Sequence, residues 1–188
     1  MNKFLSLFKD SAREFKSLKA VTTCGMLGAI AIILGYITIQ PTESIKIGFS
    51  TIPNDISAFL YGPVMAPIFG ALMDVLKYLI KPTGPFFPGF TITAAVYGLI
   101  MGTALYKKPL SFKRLLIASG ICVLICDICL NTIWLSMLYG NAISVILPAR
   151  VIKSLILWPI QCVMSFAVLK AMIRAGLLQQ LTSVEREI

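Results

Sequence analysis

Four stretches of this sequence constrain its fold more than anything else in it. Residues 20–39, 89–106, 115–138 and 143–175 each run 18 residues or more and are dominated by apolar side chains. About 20 such residues in a helix span the ~30 Å hydrocarbon core of a bilayer. Inside that core every backbone N–H and C=O needs a partner within the protein, which leaves helices or closed barrels. Runs this long without strict alternation are helical. The sequence thus predicts an all-α polytopic membrane protein forming one domain over residues 1–188. Composition agrees, with only 13% charged residues against about 25% in a soluble domain.

The 17 Lys and Arg outnumber the 8 Asp and Glu, a formal charge of +9. In a membrane protein this excess marks cytoplasmic loops rather than a nucleic-acid partner. Residues 1–19 set Lys3, Lys9, Arg13, Lys16 and Lys19 among Phe4, Leu5, Leu7, Phe8, Phe15 and Leu18, a basic amphipathic helix suited to an anionic leaflet. A second basic cluster holds Lys107, Lys108, Lys113 and Arg114, and a third holds Lys170, Arg174 and Arg186. With all three inside, the chain crosses an even number of times between Lys19 and Lys107. The spans at 20–39 and 89–106 make two, so segment 54–80 crosses twice or not at all. Its 27 residues are interrupted by Gly62, Pro63 and Pro67, which break helices. Two short helices meeting near Pro63–Pro67 give six transmembrane helices with both termini cytoplasmic. Outside lie 40–53, read as a lid loop, the Pro-rich 82–88, read as a rigid cap, and 139–150.

With no histidine in the sequence, His-based nucleophile systems and HExxH zinc sites are excluded. No GxxxxGK[ST] motif is present either. Cys122, Cys126 and Cys129 have the spacing of an iron–sulfur cluster motif. They sit in an apolar helix, where small apolar packing is the better reading.

Charged groups inside apolar spans are costly and therefore mark candidate sites. Asp74 and Lys77 share one helical face, either as a mutual ion pair or facing a polar pocket with Tyr78 and Lys81 on its rim. Asp127, Asn131 and Trp134 form one stripe, which reads as a pocket wall or as a hydrogen-bonded pair plus an interfacial indole. Leu147-Pro148-Ala149-Arg150 reads as the opening of the last long helix. There Arg150 and Lys153 make an anion site reinforced by the helix dipole; snorkelling to outer headgroups is the alternative. Small residues four apart, Gly25 and Ala29, Ala31 and Gly35, and Ala94, Gly98 and Gly102, permit close helix approach. Those of the first helix are also candidates for docking another membrane subunit.

The stretches Asn54-Asp55-Ile56-Ser57-Ala58-Phe59-Leu60-Tyr61-Gly62-Pro63 and Pro67 to Asp74, continuing through Tyr78 to Gly84-Pro85-Phe86-Phe87-Pro88-Gly89-Phe90 and Leu147-Pro148-Ala149-Arg150, resemble a known family. It is the substrate-binding S-components of energy-coupling factor (ECF) vitamin transporters, and the likeness is to the folate-specific branch. The resemblance implies a six-helix, non-enzymatic subunit of a bacterial plasma membrane that captures a vitamin from outside and needs no cofactor. It further implies docking on a transmembrane coupling subunit that carries two ATPases, with toppling in the bilayer. The family's Ala-x-x-x-Ala docking signature is replaced here by Gly25-x-x-x-Ala29. Folate chemistry suits the candidates. A carboxylate such as Asp74 or Asp127 pairs with the pterin's adjacent N–H groups. Trp134, Tyr78, Phe86 or Phe87 stacks on its ring, while Arg150, Lys153, Lys77 and Lys81 meet the glutamate carboxylates. Another vitamin, a lipid-acting membrane enzyme and a ligand-free assembly subunit are the competing readings. The basic outer mouth disfavours cationic thiamine, and the absence of histidine disfavours the enzyme.

Overall fold

The computed structural model describes residues 2–36, 39–42, 45–82, 84–140 and 142–176. Helix α1 (Asn2–Glu14) precedes α2 (Leu18–Tyr36), followed by a two-stranded antiparallel hairpin of β1 (Ile39–Thr42) and β2 (Ile45–Ile47). Helices α3 (Thr51–Ile80) and α4 (Pro88–Leu105) come next. Then α5 (Phe112–Cys122), a π-helical stretch (Val123–Leu130) and α6 (Asn131–Tyr139) run as one helix, and α7 (Ile143–Arg174) closes the bundle. Five helices are long and apolar enough to cross a membrane: Leu18–Tyr36, Thr51–Ile80, Pro88–Leu105, Phe112–Tyr139 and Ile143–Arg174. The segment expected to be an outer loop thus contains a hairpin.

The break expected near Pro63–Pro67 falls at Gly62, whose φ of 80° and ψ of −162° interrupt α3. A straight 30-residue helix would hold its ends about 45 Å apart. Yet Thr51 and Asn54 at one end line the same cavity as Lys77 and Lys81 at the other, so the helix folds back at Gly62 into two arms. Pro63 starts the second arm, where a missing N–H is least costly.

That arm packs backbone to backbone on α4. A Cβ on Gly98 would lie 2.5 Å from the Ala66 carbonyl oxygen, and one on Gly102 would lie 2.7 Å from the Gly62 carbonyl carbon. The small-residue spacing in α4 therefore serves internal packing. The opposite holds at part of α2. Gly25 and Ala29 lie on its exposed side, while Ala31 is fully buried and Gly35 lies against the Lys77 side chain. Ala31 and Gly35 therefore pack towards the bundle, and Gly25 and Ala29 away from it.

At the break α1 acts as a latch. The buried Ser11 hydroxyl donates to the Tyr61 carbonyl and accepts from the Val64 N–H at 2.9 Å. Both groups belong to the stretch where the helical ladder is interrupted, and leaving them buried without partners costs about 1–3 kcal/mol. Lys107 bonds Asp10, the residue before Ser11, at 2.6 Å. Ser11→Ala is accordingly expected to lower the thermal unfolding midpoint in detergent by roughly 5 °C. An unchanged midpoint would show that the latch contributes nothing.

Candidate binding cavity

A cavity of about 540 Å³ occupies the end of the bundle remote from α1. It is bounded by the C-terminal end of α2, both ends of α3, the first half of α4, the π stretch with α6, and α7. Nine of the ten sequence-predicted site residues line it: Asp74, Lys77, Tyr78, Lys81, Phe86, Asp127, Asn131, Arg150 and Lys153. The fold-back at Gly62 and the junction between the π stretch and α6 bring these distant residues together.

The central feature is Arg150, only 5% exposed. Its Nε and Nη2 both donate to the Asp127 backbone carbonyl, at 3.2 and 3.0 Å, and Nη2 lies 3.7 Å from the Asp127 carboxylate. The π stretch explains why that carbonyl accepts from outside its own helix. Asn131 N–H bonds the Cys126 carbonyl, five residues back, rather than that of Asp127. Such π segments cluster at functional sites. The Asn131 side chain donates to the Asp127 carboxylate at 3.3 Å, so Arg150, Asp127 and Asn131 form one unit.

Two expectations about this region change. The last helix begins at Ile143, so Pro148 lies inside it and Arg150 in its second turn; burial and the Asp127 carbonyl, not a helix N-terminus, hold the guanidinium. Trp134 does not line the cavity. Its indole N–H donates to Thr93 at 3.0 Å and its ring packs on Phe87, with centroids 5.6 Å apart. Phe87 does line the cavity, so Trp134 buttresses the aromatic wall from behind. Tyr78 and Phe86, which both line the cavity, pair at 5.1 Å.

Asp74 accepts from Thr91 at 2.8 Å. Lys81 donates to the Tyr36 carbonyl at 3.3 Å and sits 5.5 Å from that ring's centre. Residues absent from the sequence-based set also line the cavity, including Thr51, Asn54, Thr93, Tyr97 and Gln161. The side-chain oxygens Thr51 Oγ1, Asn54 Oδ1 and Asn131 Oδ1 are buried without hydrogen-bond partners among the described residues. Gln161 donates to the Gly48 carbonyl at 3.2 Å, tying the chain just after the hairpin to the middle of α7.

The arrangement suits an anionic, flat ligand. Arg150, Lys153, Lys77 and Lys81 supply positive charge, Phe86, Phe87 and Tyr97 supply ring faces, and Asp74, Asp127 and the buried oxygens supply acceptors. Its volume lies within the 300–1,000 Å³ typical of small-molecule sites.

Known proteins share this architecture. The family described as "ECF transporter, substrate-specific component" matches residues 19–169. Folate transporter FolT of Clostridium novyi (strain NT) is 37% identical over 151 residues, covering 80% of this chain and 87% of that protein. Folate transporter FolT of Leuconostoc mesenteroides is 36% identical over 151 residues, 77% of this chain and 80% of the relative. The crystal structure of FolT bound with folic acid matches with a TM-score of 0.75 at 30% identity, covering 81% of this chain and 93% of that one.

Proposed function

Because the chain belongs to the family of ECF transporter substrate-specific components, we propose that it captures folate from outside a bacterial cell for import and catalyses no reaction itself. The observation that carries this reading is the single cavity that joins Arg150, Lys153, Lys77 and Lys81 to an acceptor-rich, aromatic-walled interior. A folate's glutamate tail brings two carboxylates to the cations. Its pterin brings neighbouring N–H donors, which suit the Asp127 carboxylate or that of Asp74 and the buried oxygens of Asn54 and Asn131. Phe87, braced by Trp134, and Phe86 with Tyr78 offer stacking surfaces for the ring.

In this reading the two arms of α3 count as separate crossings, which makes six transmembrane segments with both termini cytoplasmic and the cavity facing out. The hairpin and the chain to Pro53 close over the ligand. Delivery follows docking on a transmembrane coupling subunit that carries two ATPases. The exposed Gly25 and Ala29 face of α2 is the docking surface: a Cβ at Gly25 would meet nothing within 4 Å, which leaves room for close helix approach.

Titrating purified, detergent-solubilised protein with folic acid tests the proposal. Tryptophan emission should quench to saturation at one ligand per chain, Trp134 being packed on the cavity wall. Riboflavin presents alternating C=O, N–H and C=O groups where a pterin presents adjacent donors, and is expected to bind about 100-fold or more weakly. Saturation by riboflavin with no response to folic acid would overturn the folate reading.

A further inference from the structure

The folate reading makes no use of Asp55, a buried acid inside the bundle. It lies on the first arm of α3 and is 4% exposed. One carboxylate oxygen accepts from the Tyr97 hydroxyl on α4 at 2.6 Å, and the other from the Ser165 hydroxyl on α7 at 2.6 Å. No cation pairs with it among the described residues. An acid at such depth is costly and is retained for a reason. Its two bonds have the 2.5–2.7 Å length of strong hydroxyl-to-carboxylate bonds.

Beside Asp55 lies a second, smaller cavity of about 30 Å³, to which Thr51, Gln161 and Tyr97 also contribute. Tyr97, like Thr51, Asp127 and Gln161, lines the large cavity as well, so it borders both spaces. Its hydroxyl is tethered on the Asp55 side. Without that tether, the ring has about one water's volume of adjoining space into which to shift, and this part of the large cavity's wall loses its fixed position.

We infer that Asp55 is a positioning residue for ligand binding: it holds Tyr97 in the wall of the folate cavity without touching the ligand. This rests on the folate reading of the large cavity. A bond from a neutral donor to a charged acceptor is worth enough to change affinity about 10-fold or more when the group it positions meets the ligand.

A double-mutant cycle read by folic acid titration tests it. Asp55→Leu and Tyr97→Phe should each weaken folic acid binding about 10-fold, and the double variant should be no weaker than either single one. Asp55→Asn keeps an acceptor for the Tyr97 hydroxyl and should stay within about 3-fold of wild type. Ser165→Ala breaks only the bond to α7; it should lower the unfolding midpoint and leave affinity alone. Should Asp55→Leu fail to fold, Tyr97→Phe decides alone, because it keeps the ring and removes only the tether; unchanged affinity overturns the inference. Fully additive losses in the cycle, or full affinity in Asp55→Leu, overturn it too. Wild-type protein that ignores folic acid overturns the folate reading and this inference together, whereas wild-type binding with additive variants overturns this inference only.

Discussion

Arg150→Ala is expected to weaken folic acid binding by about 100-fold, equivalent to roughly 3 kcal/mol, with little change at a distant cation such as Lys170. The guanidinium is nearly excluded from water and fixed by two bonds to a single carbonyl. It meets a ligand carboxylate already oriented, so little entropy is lost on binding. Charge-assisted bonds to a carboxylate are also about twice as strong as neutral ones. Arg150→Lys separates charge from geometry. Lysine retains the cation but has no planar fork with which to grip the Asp127 carbonyl and a ligand together. Its affinity should fall about 10-fold, between wild type and alanine. Isothermal titration of the three proteins checks this, with unfolding midpoints confirming that each is folded. Equal affinity of all three would remove Arg150 from the site and, with it, the main electrostatic reason for an anionic ligand.

The reach of the sequence differs between the scaffold and the site. Long apolar runs announce helices because the bilayer admits little else, and Gly62-Pro63 announces a break because glycine and proline are the two residues that least favour a helix interior. Cations and acids within apolar spans announce a site because their burial is costly, which is why Asp74, Lys77, Asp127 and Arg150 were legible. Asp55 carries that same signal. It lies next to Asn54 near the start of its segment, where it passes for a residue outside the apolar run. Thr93, Tyr97 and Gln161 carry no comparable signal, since uncharged polar residues are common in packed helices and only tertiary proximity gives them a role. Trp134 lies beside the cavity-lining face rather than on it. Its stripe with Asp127 and Asn131 assumes 3.6 residues per turn throughout, whereas the π stretch immediately before Asn131 takes more residues per turn and rotates the later side chains. The small residues of the first span divide for a different reason. Gly25, Ala29, Ala31 and Gly35 look equivalent in sequence, but a helix in a bundle has an inside and an outside, and the second pair falls inside.

Gly62→Ala should be the most damaging single substitution in the scaffold. A Cβ there meets two obstacles at once. With φ at +80° and ψ at −162°, the backbone lies in a region essentially reserved for glycine, costing about 1–3 kcal/mol for any other residue. The added carbon would also sit 2.5 to 2.9 Å from three atoms of the Tyr106 ring. Tyr106 is almost wholly buried, so the ring has little freedom to retreat, and overpacking adds about 1–3 kcal/mol. Together these lower the unfolding midpoint by about 10 °C or prevent accumulation of folded protein. Pairing the substitution with Tyr106→Ala separates the two causes. Removing the ring relieves the collision but not the backbone strain, so the double variant should remain less stable than Tyr106→Ala alone. Equal stability of those two variants would mean that the collision is the whole effect and that the fold-back tolerates a side chain. The consequence extends to the ligand, because the two arms of α3 carry Asn54 and Lys77 to the same cavity only through the reversal at Gly62. Any variant that straightens the break should therefore lose folic acid binding together with stability, even though Gly62 lies at the far end of the bundle from the site.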